Sequence, residues 1–353
     1  MDELMAMMHK IRMPDETAAC AARTIWNNLA KPLGSLGLLE ESIVRIAALT
    51  GDANVRLQKR TLLVLCADNG VVAQGVTQTD SSVTAAIAMA LAAGESTVCH
   101  MARIANCRVQ PVDIGVLNLP QIQGVWDYHV CRGTKDITKQ PAMTREQCVK
   151  AMMVGIEMVK RLAQENVQII ATGEMGIGNT TTSSAVASVL LHQPVSAMTG
   201  RGAGLSDAGL CRKKTAIETA LTLHRPDAAD IADVLCKVGG ADIAGLCGVF
   251  LGGAVYRVPI LVDGFISAVA ALCAIQLCPN AHCALLASHV SAEPAGEMLL
   301  HALHLKPLIT AEMRLGEGSG AVAALPLLDM ALAVYHSGQT FGHLGIDAYT
   351  PQT

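Results

Sequence analysis

The chain has 353 residues, of which 51% are hydrophobic, so it can bury a large core in one or two domains. Aromatic residues make up only 3%, and the core must therefore consist of aliphatic side chains, Ala and Met. The formal net charge is −4, and no run of Lys and Arg is long enough to track the phosphate backbone of a nucleic acid. This charge argues against a nucleic-acid partner and favours a small anionic metabolite.

Neither the cysteines nor the apolar segments indicate secretion or a membrane. The twelve cysteines are scattered without a CxxC pair, so we predict free thiols in a reducing cytoplasm and no metal site. Residues 1–13 are rich in Met but broken by charges, which favours an amphipathic helix over a secretory signal. Residues 258–277 form the most apolar window, which Asp263 and Gly264 interrupt, so we predict a buried strand and helix there.

Helical patterns occupy both ends of the chain. The patterns predict helices over residues 15–29, 38–49 and 321–336. We expect residues 1–60 and 321–353 to form a small helical subdomain that packs against an α/β domain of residues 61–320. A further helix over 144–164 begins with Thr144 and Gln147, the two residues of a capping box.

Apolar, β-rich segments alternate with helical patterns through the middle of the chain. They cover residues 61–66, 109–112, 167–171 and 259–262, with a shorter candidate at 307–310. The alternation predicts an α/β fold, a doubly wound, mostly parallel sheet covered by helices on both faces. Most of these segments end in glycine or a carboxylate. Because ligands bind at the carboxyl ends of such strands, these ends are the candidate site.

The most informative segment is the turn at residues 173–182, which reads Gly-Glu-Met-Gly-Ile-Gly-Asn-Thr-Thr-Thr. A strand that ends in glycines before a helix leaves backbone N–H groups free to bind an anion such as phosphate. Asn179 and the three threonines add further donors. Glu174 lies inside the turn, so the ligand should also carry ribose hydroxyls or a positive centre. The alternative is a tight connection without a ligand.

Two other glycine-rich loops carry charged residues. Residues 200–207 precede a predicted helix with Ser206 as its N-cap, and Lys213 on that helix is either a ligand or part of a solvated face. Glu317 lies between Gly316 and Gly318, where little side-chain bulk keeps a ligand away. We interpret Glu317 as a candidate general base, the alternative being a surface acid in a flexible turn.

Three other observations bear on the chemistry. Asp68 and Asp263 follow predicted strands, where each can contact a sugar or cap the next helix. His289 has no second histidine at ligand spacing, and we interpret it as structural. A sugar or hydroxymethyl kinase on a similar scaffold would need a Walker lysine after the glycines, where Asn179 and the threonines stand instead.

Taken together and in order, seven segments of the chain resemble the nicotinate-nucleotide:dimethylbenzimidazole phosphoribosyltransferases of cobalamin biosynthesis. They are residues 31–37, 173–182, 200–205, 238–242, 261–265, 288–293 and 314–320. Enzymes of that family transfer the 5-phosphoribosyl group of nicotinate mononucleotide to a lower-ligand base, giving its α-ribotide and nicotinate. The resemblance therefore implies a transferase that needs neither a metal nor a redox cofactor.

Roles are carried over by matching position. Glu317 resembles the family's catalytic base, which accepts the proton of the incoming nucleophile as it attacks C1′ of the ribose. The resemblance assigns these residues to the nucleotide: Glu174, Gly176, Ile177, Gly178, Asn179, Thr180, Thr181, Gly202, Lys213, Asp263, Ser291, Gly316 and Gly318. It assigns these to the acceptor base: Thr79, Asp80, Ile87, Met175 and Leu315.

The acceptor segment departs from the family pattern. Asn69 stands where the family usually has histidine, and Thr79, Asp80, Ser82 and Ile87 replace its serine, proline, glutamate and glutamine. Ile87 removes an amide that can bond an azole nitrogen, so the acceptor is either a benzimidazole or a phenol, as in the family's heterodimeric phenol/p-cresol branch. The resemblance also implies a homodimer or a heterodimer with a homologous subunit. The alternative function is a non-catalytic partner subunit of such a heterodimer.

Overall fold

The computed structural model describes residues 1–349, so residues 350–353 of the predicted helical subdomain lie outside it. Six strands form one sheet in the order β3-β2-β1-β4-β5-β6, and every neighbouring pair is parallel. The strands are β1 (Arg60–Ala67), β2 (Arg108–Gly115), β3 (Trp126–Asp127), β4 (Ile169–Met175), β5 (Ile260–Val262) and β6 (Leu285–Ala287). The α/β prediction is confirmed. The strand order reverses between β1 and β4, which opens a crevice at their carboxyl ends.

Fifteen α-helices are found in the described residues. They are α1 (Asp2–Met8), α2 (Glu16–Asn28), α3 (Leu38–Thr50), α4 (Ser82–Ala93), α5 (Thr97–Ile104), α6 (Arg145–Gln164), α7 (Asn179–Leu190), α8 (Val195–Met198), α9 (Asp207–His224), α10 (Ile231–Val238), α11 (Ala241–Tyr256), α12 (Phe265–Leu277), α13 (Gly296–Ala302), α14 (Ser319–Tyr335) and α15 (Phe341–Leu344). The predicted capping box is present, since Gln147 N donates to Thr144 Oγ1 at 3.1 Å and its side chain bonds back.

Alternate residues of β1 enter two separate hydrophobic layers. Leu63 and Leu65 pack into the layer that contains α6, α7 and α9–α13, whereas Leu62 and Val64 pack into the layer that contains α2–α5 and α14. All eight residues of β1 are buried. Both faces of the sheet are therefore covered, as a parallel sheet requires.

One predicted strand is wrong. Residues 307–310 form no strand; Ile309 makes a single bridge with His289, and the N–H groups of Leu308 and Ile309 both donate to Ser288 O. The segment thus runs beside the chain that follows β6, and the sheet's last position belongs to Leu285–Ala287. Three residues are too few to show a hydrophobic period, so the sequence does not reveal β6.

The N-terminal helices do not all pack together. α2, α3 and α14 lie in one layer, where the rings of Trp26 and Tyr335 are 5.0 Å apart. By contrast, α1 packs against α6 and α11 on the opposite face of the sheet. The expected packing of residues 1–60 with the C-terminal helix therefore fails for α1, and the boundary of the subdomain stays a prediction.

The apolar window at 258–277 forms β5 and α12, which are largely buried. A different stretch, Ser82–Ile104, is long and apolar enough to cross a membrane by length and composition alone, with a mean hydropathy of 1.4. It contains α4 and α5, which are separated at residues 94–96, where Gly94 adopts a φ of 75°. Apolar helices of soluble proteins pass the same criterion, so the stretch is weak evidence for a span.

Candidate active site

A cavity of about 300 Å³ lies at the carboxyl ends of β4 and β5. Segments that follow β4, β5 and β6 line it, together with the loops before α9 and α14. Its position beside the switch between β1 and β4 is where parallel α/β sheets bind ligands.

The turn between β4 and α7 forms one wall of the cavity. α7 begins at Asn179, with Gly178 in the left-handed conformation as its N-cap. A Cβ atom at Gly176 would lie 2.3 Å from Ala67 O, and one at Gly178 would lie 2.9 Å from a methyl group of Val72. Only glycine therefore lets the turn lie against β1, and the N-terminus of α7 is directed at the cavity, where its dipole favours an anion.

The loops that carry Glu174 and Glu317 are in direct contact. A Cβ atom at Gly173 would lie 2.5 Å from Glu317 O, and one at Gly316 would lie 2.7 Å from Glu174 Oε1. Glu317 itself adopts a φ of 58°, between two glycines that are also left-handed. This conformation costs a non-glycine residue on the order of 1 kcal/mol and is found at functional sites. The strained backbone supports the interpretation of Glu317 as a functional residue.

Four carboxyl groups, from Glu174, Asp263, Glu293 and Glu317, line the cavity. Burial raises the pKa of Glu174 to about 8, helped by the negative charges of Asp242 and Asp263, although the Asn179 amide donates a hydrogen bond to its carboxylate. Burial also raises the pKa of Asp263. Glu174 is therefore protonated at neutral pH in the empty site, and a cationic ligand would favour its ionised form.

A second group of residues, beside the first turn of α7, suits an anion. Lys213 is fully buried, and its Nζ donates to Thr180 Oγ1 at 2.8 Å and to Gly200 O at 3.3 Å. Burial lowers the pKa of Lys213 to about 8, and the negative charge of Glu293 opposes this shift. Nearby, Gly202 N donates to Glu293 Oε1 at 3.1 Å. A buried cation beside N–H and hydroxyl groups is a suitable environment for phosphate.

Most of the predicted site residues lie on the cavity wall. Those that do are Thr79, Glu174, Met175, Gly176, Ile177, Gly178, Asn179, Thr180, Gly202, Asp263, Ser291, Leu315, Gly316 and Glu317. Lys213 lies behind Thr180 rather than on the wall, Thr181 is buried in α7, and Gly318 is the N-cap of α14. These three are adjacent to the wall without forming it.

Two residues predicted to contact the acceptor base do not line the cavity of a single chain. Asp80 is exposed, and its Oδ1 accepts a hydrogen bond from Ser82 N at 2.9 Å, at the start of α4. Ile87 lies further along α4, where it packs against the layer of α2, α3 and α14. Only the resemblance assigns these two residues to the acceptor. In the structure they lie on α4 or just before it, away from the cavity wall.

The sequence missed several residues that line the cavity. His289, interpreted as structural, lies there with its Nδ1 4.0 Å from Asp263 Oδ1, and Glu293 and Arg314 also line it. His289 and Glu293 follow β6, so the rule that ligands bind at strand ends would have identified them had that strand been recognised. Arg314 directly precedes Leu315, and nothing in its local pattern distinguishes it from a surface arginine.

A second cluster of polar side chains lies elsewhere. Asp113, Asp127 and His129, near the ends of β2 and β3, are close enough together to hold a metal ion. Asp113, however, already accepts hydrogen bonds from the backbone at Gly115 and Val116 and pairs with Arg132. These residues do not line the cavity described above.

Comparison with known proteins shows which family the chain belongs to. A family model described as "Phosphoribosyltransferase" matches residues 11–346. A nicotinate-nucleotide–dimethylbenzimidazole phosphoribosyltransferase of Ruminiclostridium cellulolyticum is 45% identical over 325 residues, 92% of each chain. One from Halalkalibacterium halodurans is 41% identical and covers 98% of this chain and 97% of its own length.

A crystal structure of CobT from Thermus thermophilus superposes with a TM-score of 0.89 at 36% identity, covering 94% of this chain and all of that one. The family model, the relatives and the fold thus agree over nearly the whole chain. The chain belongs to the nicotinate-nucleotide–dimethylbenzimidazole phosphoribosyltransferase family, whose members are glycosyltransferases that use a nicotinate nucleotide.

Proposed function

We propose that this protein transfers the 5-phosphoribosyl group of nicotinate mononucleotide to an aromatic cobamide lower-ligand base, giving the α-ribotide and nicotinate. The observation that carries the proposal is the polarity of the cavity. The buried Lys213 ammonium contacts Thr180 in the first turn of α7, and the carboxyl groups of Glu174 and Glu317 line the same cavity. This arrangement matches a ligand with a phosphate at one end and a cationic ribosyl centre at the other.

The chemistry follows from that orientation. Thr180, Gly202 and Lys213 bind the phosphate, which places the ribose between the two carboxylate loops. Breaking the bond to the pyridinium ring builds positive charge at C1′, which ionised Glu174 and Asp263 stabilise electrostatically. Glu317 accepts the proton of the attacking nitrogen or hydroxyl group. Nicotinate leaves as a neutral pyridine ring that bears its own carboxylate, so its departure needs no acid catalyst.

The acceptor binds beside Met175 and Leu315 in this proposal, with Thr79 and Gln78 as the nearby polar wall residues. Dimethylbenzimidazole is named for the relatives, and it is the first acceptor to test. A phenol such as p-cresol is the second, because this wall is largely apolar and a hydroxyl group can deliver its proton to Glu317. In both cases the new bond forms at C1′ as the bond to nicotinate breaks.

We also propose that the enzyme acts in the cytoplasm as a dimer. Asp80 and Ile87, assigned to the acceptor by resemblance, lie on α4 or just before it, outside the cavity of one chain. α4 and α5 expose Met89 and Ile104, the latter to 86%. An apolar face of this kind suits a second copy of this chain or a homologous subunit, which would bring α4 near an acceptor pocket. Analytical ultracentrifugation of the purified chain tests the oligomeric state.

The activity is tested by incubating the purified chain with nicotinate mononucleotide and either dimethylbenzimidazole or p-cresol. Release of nicotinate together with the matching α-ribotide supports the proposal and identifies the acceptor. Turnover only after addition of a homologous second chain would favour the heterodimer. No product with either acceptor, alone or with the second chain, would contradict the proposed transfer and support the non-catalytic subunit.

A further inference from the structure

Asp242 is a buried carboxylate outside the cavity wall that the proposed reaction does not use. It lies in the first turn of α11 and is 0% exposed. Its Oδ1 accepts a hydrogen bond from Ile243 N at 2.9 Å, whereas no donor among the described residues reaches Oδ2 in hydrogen-bond geometry. An unpartnered buried carboxylate oxygen is costly, so its retention here requires an explanation.

The free oxygen lies beneath the turn that precedes α7. A Cβ atom at Gly176 would be 2.9 Å from Asp242 Oδ2 and 3.2 Å from Asn69 Nδ2. The amides of Asn179 and Asn69 are near enough to stabilise the charge of Asp242 and lower its pKa, against the larger effect of burial, which raises that pKa to about 6. Asp242 is thus in contact with the turn from the side opposite the cavity.

Asn179 connects Asp242 to the cavity. Its Nδ2 donates a hydrogen bond to Glu174 Oε2, and an amide nitrogen carries a second hydrogen that can be directed at Asp242. Asp242 is also the charge that most strongly raises the pKa of Glu174, ahead of Asp263 and Glu317. Near neutral pH the pair is therefore one anion, Asp242, and one neutral acid, Glu174, which is the usual result when two carboxyl groups lie close together.

We propose that Asp242 is a positioning residue, whose carboxylate orients the Asn179 amide and retains the proton on Glu174 until a cationic nucleotide enters the cavity. The proton then passes to solvent as the pyridinium and ribose approach Glu174, and Glu174 becomes the anion that stabilises C1′. The release of the proton when the nucleotide enters rests on the proposed function. The orientation of Asn179 and the retained proton on Glu174 concern the empty enzyme and do not depend on that function.

Other groups can contribute to the titration of this pair. Asp263 and Glu317 face Glu174, and the thiols of Cys66 and Cys131 are close enough to Asp242 for its charge to raise their pKa. Both thiols remain protonated through neutral pH because burial raises their pKa further, Cys131 to about 11. The variation between pH 5 and 9 should therefore come from the carboxyl groups and from Lys213, whose pKa is about 8.

The test is a ¹³C NMR titration of the full-length protein, labelled at the glutamate carboxyl carbons, with the Glu174 signal assigned from Glu174→Gln. We expect the signal to titrate near pH 8 with a smaller inflection near pH 6, where Asp242 ionises. In Asp242→Asn the main transition should move down by about one pH unit or more. The matched control is Asp233→Asn. Asp233 also lies in the first turn of a helix, α10, and its carboxylate pairs with Lys237.

A Glu174 titration that is the same in Asp242→Asn and in the wild type would overturn the proposal. If Asp242→Asn does not fold, the wild-type titration decides. A wild-type Glu174 signal without the inflection near pH 6 would then overturn the proposal. In kinetics, we expect Asp242→Asn to lower kcat about tenfold or more, with little change in KM. If the wild-type protein does not bind nicotinate mononucleotide, the proposed function is refuted, whereas the titration result for the empty enzyme remains valid.

Discussion

The two ends of the cavity differ in how firmly they are held. At the nucleotide end, Asn179 donates a hydrogen bond to Glu174 and Lys213 donates one to Thr180. All four residues but the partly buried Thr180 are fully or almost fully buried. At the acceptor end, Leu315 is 51% exposed and Arg314 is also exposed. The first end is preorganised, whereas the second is an open rim in a single chain.

This difference suggests how specificity is divided. A preorganised site gains its affinity from groups already in place, so it discriminates strongly by charge and shape. An exposed apolar rim discriminates by only about 1–3 kcal/mol per methylene group. We therefore expect a strict requirement for the phosphoribosyl donor and a broader tolerance for the aromatic acceptor.

The largest expected effect is that of Glu317→Gln. The variant keeps the shape of the side chain but cannot accept a proton, so turnover should fall about 10²- to 10⁴-fold while the protein remains folded. Nicotinate release and circular dichroism measure the two properties. Glu312→Gln is the matched control, because Glu312 is another left-handed glutamate of the same loop that does not line the cavity.

If Glu317→Gln retained wild-type turnover, Glu317 would lose its proposed role as base. Equal losses in Glu317→Gln and Glu312→Gln would instead indicate that the loop conformation matters and that the carboxylate does not.

The next largest effect is expected at the nucleotide end. Lys213→Met removes a buried cation that we place against the phosphate, so KM for nicotinate mononucleotide should rise about 10- to 100-fold. For the same reason, KM of the wild type should rise above pH 8, where Lys213 loses its proton. Initial rates at several pH values measure both effects, and Lys214→Met provides a neighbouring control on α9.

Two results would argue against phosphate at this end. One is an unchanged KM in Lys213→Met. The other is a KM rise above pH 8 that persists in Lys213→Met, since the titrating group would then have to be another residue.

A smaller effect should appear in the stability of the empty enzyme. The pKa of Glu174 is about 8 in the folded protein, against an ordinary value of 4.5. Between pH 4.5 and pH 8, the folded protein therefore keeps a proton on Glu174 that the unfolded protein has released. The stability of the folded state should fall as pH rises from about 4.5 through 8. Glu174→Gln removes this loss, so its melting temperature at pH 8 should exceed that of the wild type by roughly 2 °C or more.

Calorimetry at pH 5 and pH 8 measures the change, and Glu157→Gln, an exposed glutamate of α6, is the control. Equal declines in the wild type and in Glu174→Gln would show that other groups, such as Asp263, cause the pH dependence.

The sequence predicted the nucleotide end better than the acceptor end, for a physical reason. Local patterns identify a strand that ends in glycines, so the 173–182 turn and the Gly316–Gly318 loop were found as candidate sites. The cavity also depends on β6, which has only three residues, and on contacts between distant segments, such as Gly316 with Glu174. Asp242 likewise acquires its environment from Asn69 and Asn179, which only the folded chain brings near it.

The smallest expected effect concerns Ile87, because it lies outside the cavity of one chain. In a monomeric site, Ile87→Gln should change the ratio of kcat/KM for dimethylbenzimidazole and p-cresol by less than about threefold, with KM for the nucleotide unchanged. If a second subunit brings α4 to the acceptor, the new amide can bond an azole nitrogen and the ratio should shift towards the benzimidazole by about tenfold or more. Ala86→Gln, at an exposed position of α4, is the control. A shift in Ile87→Gln alone would assign that position to the acceptor, and the acceptor end would then be a shared site that closes only on assembly.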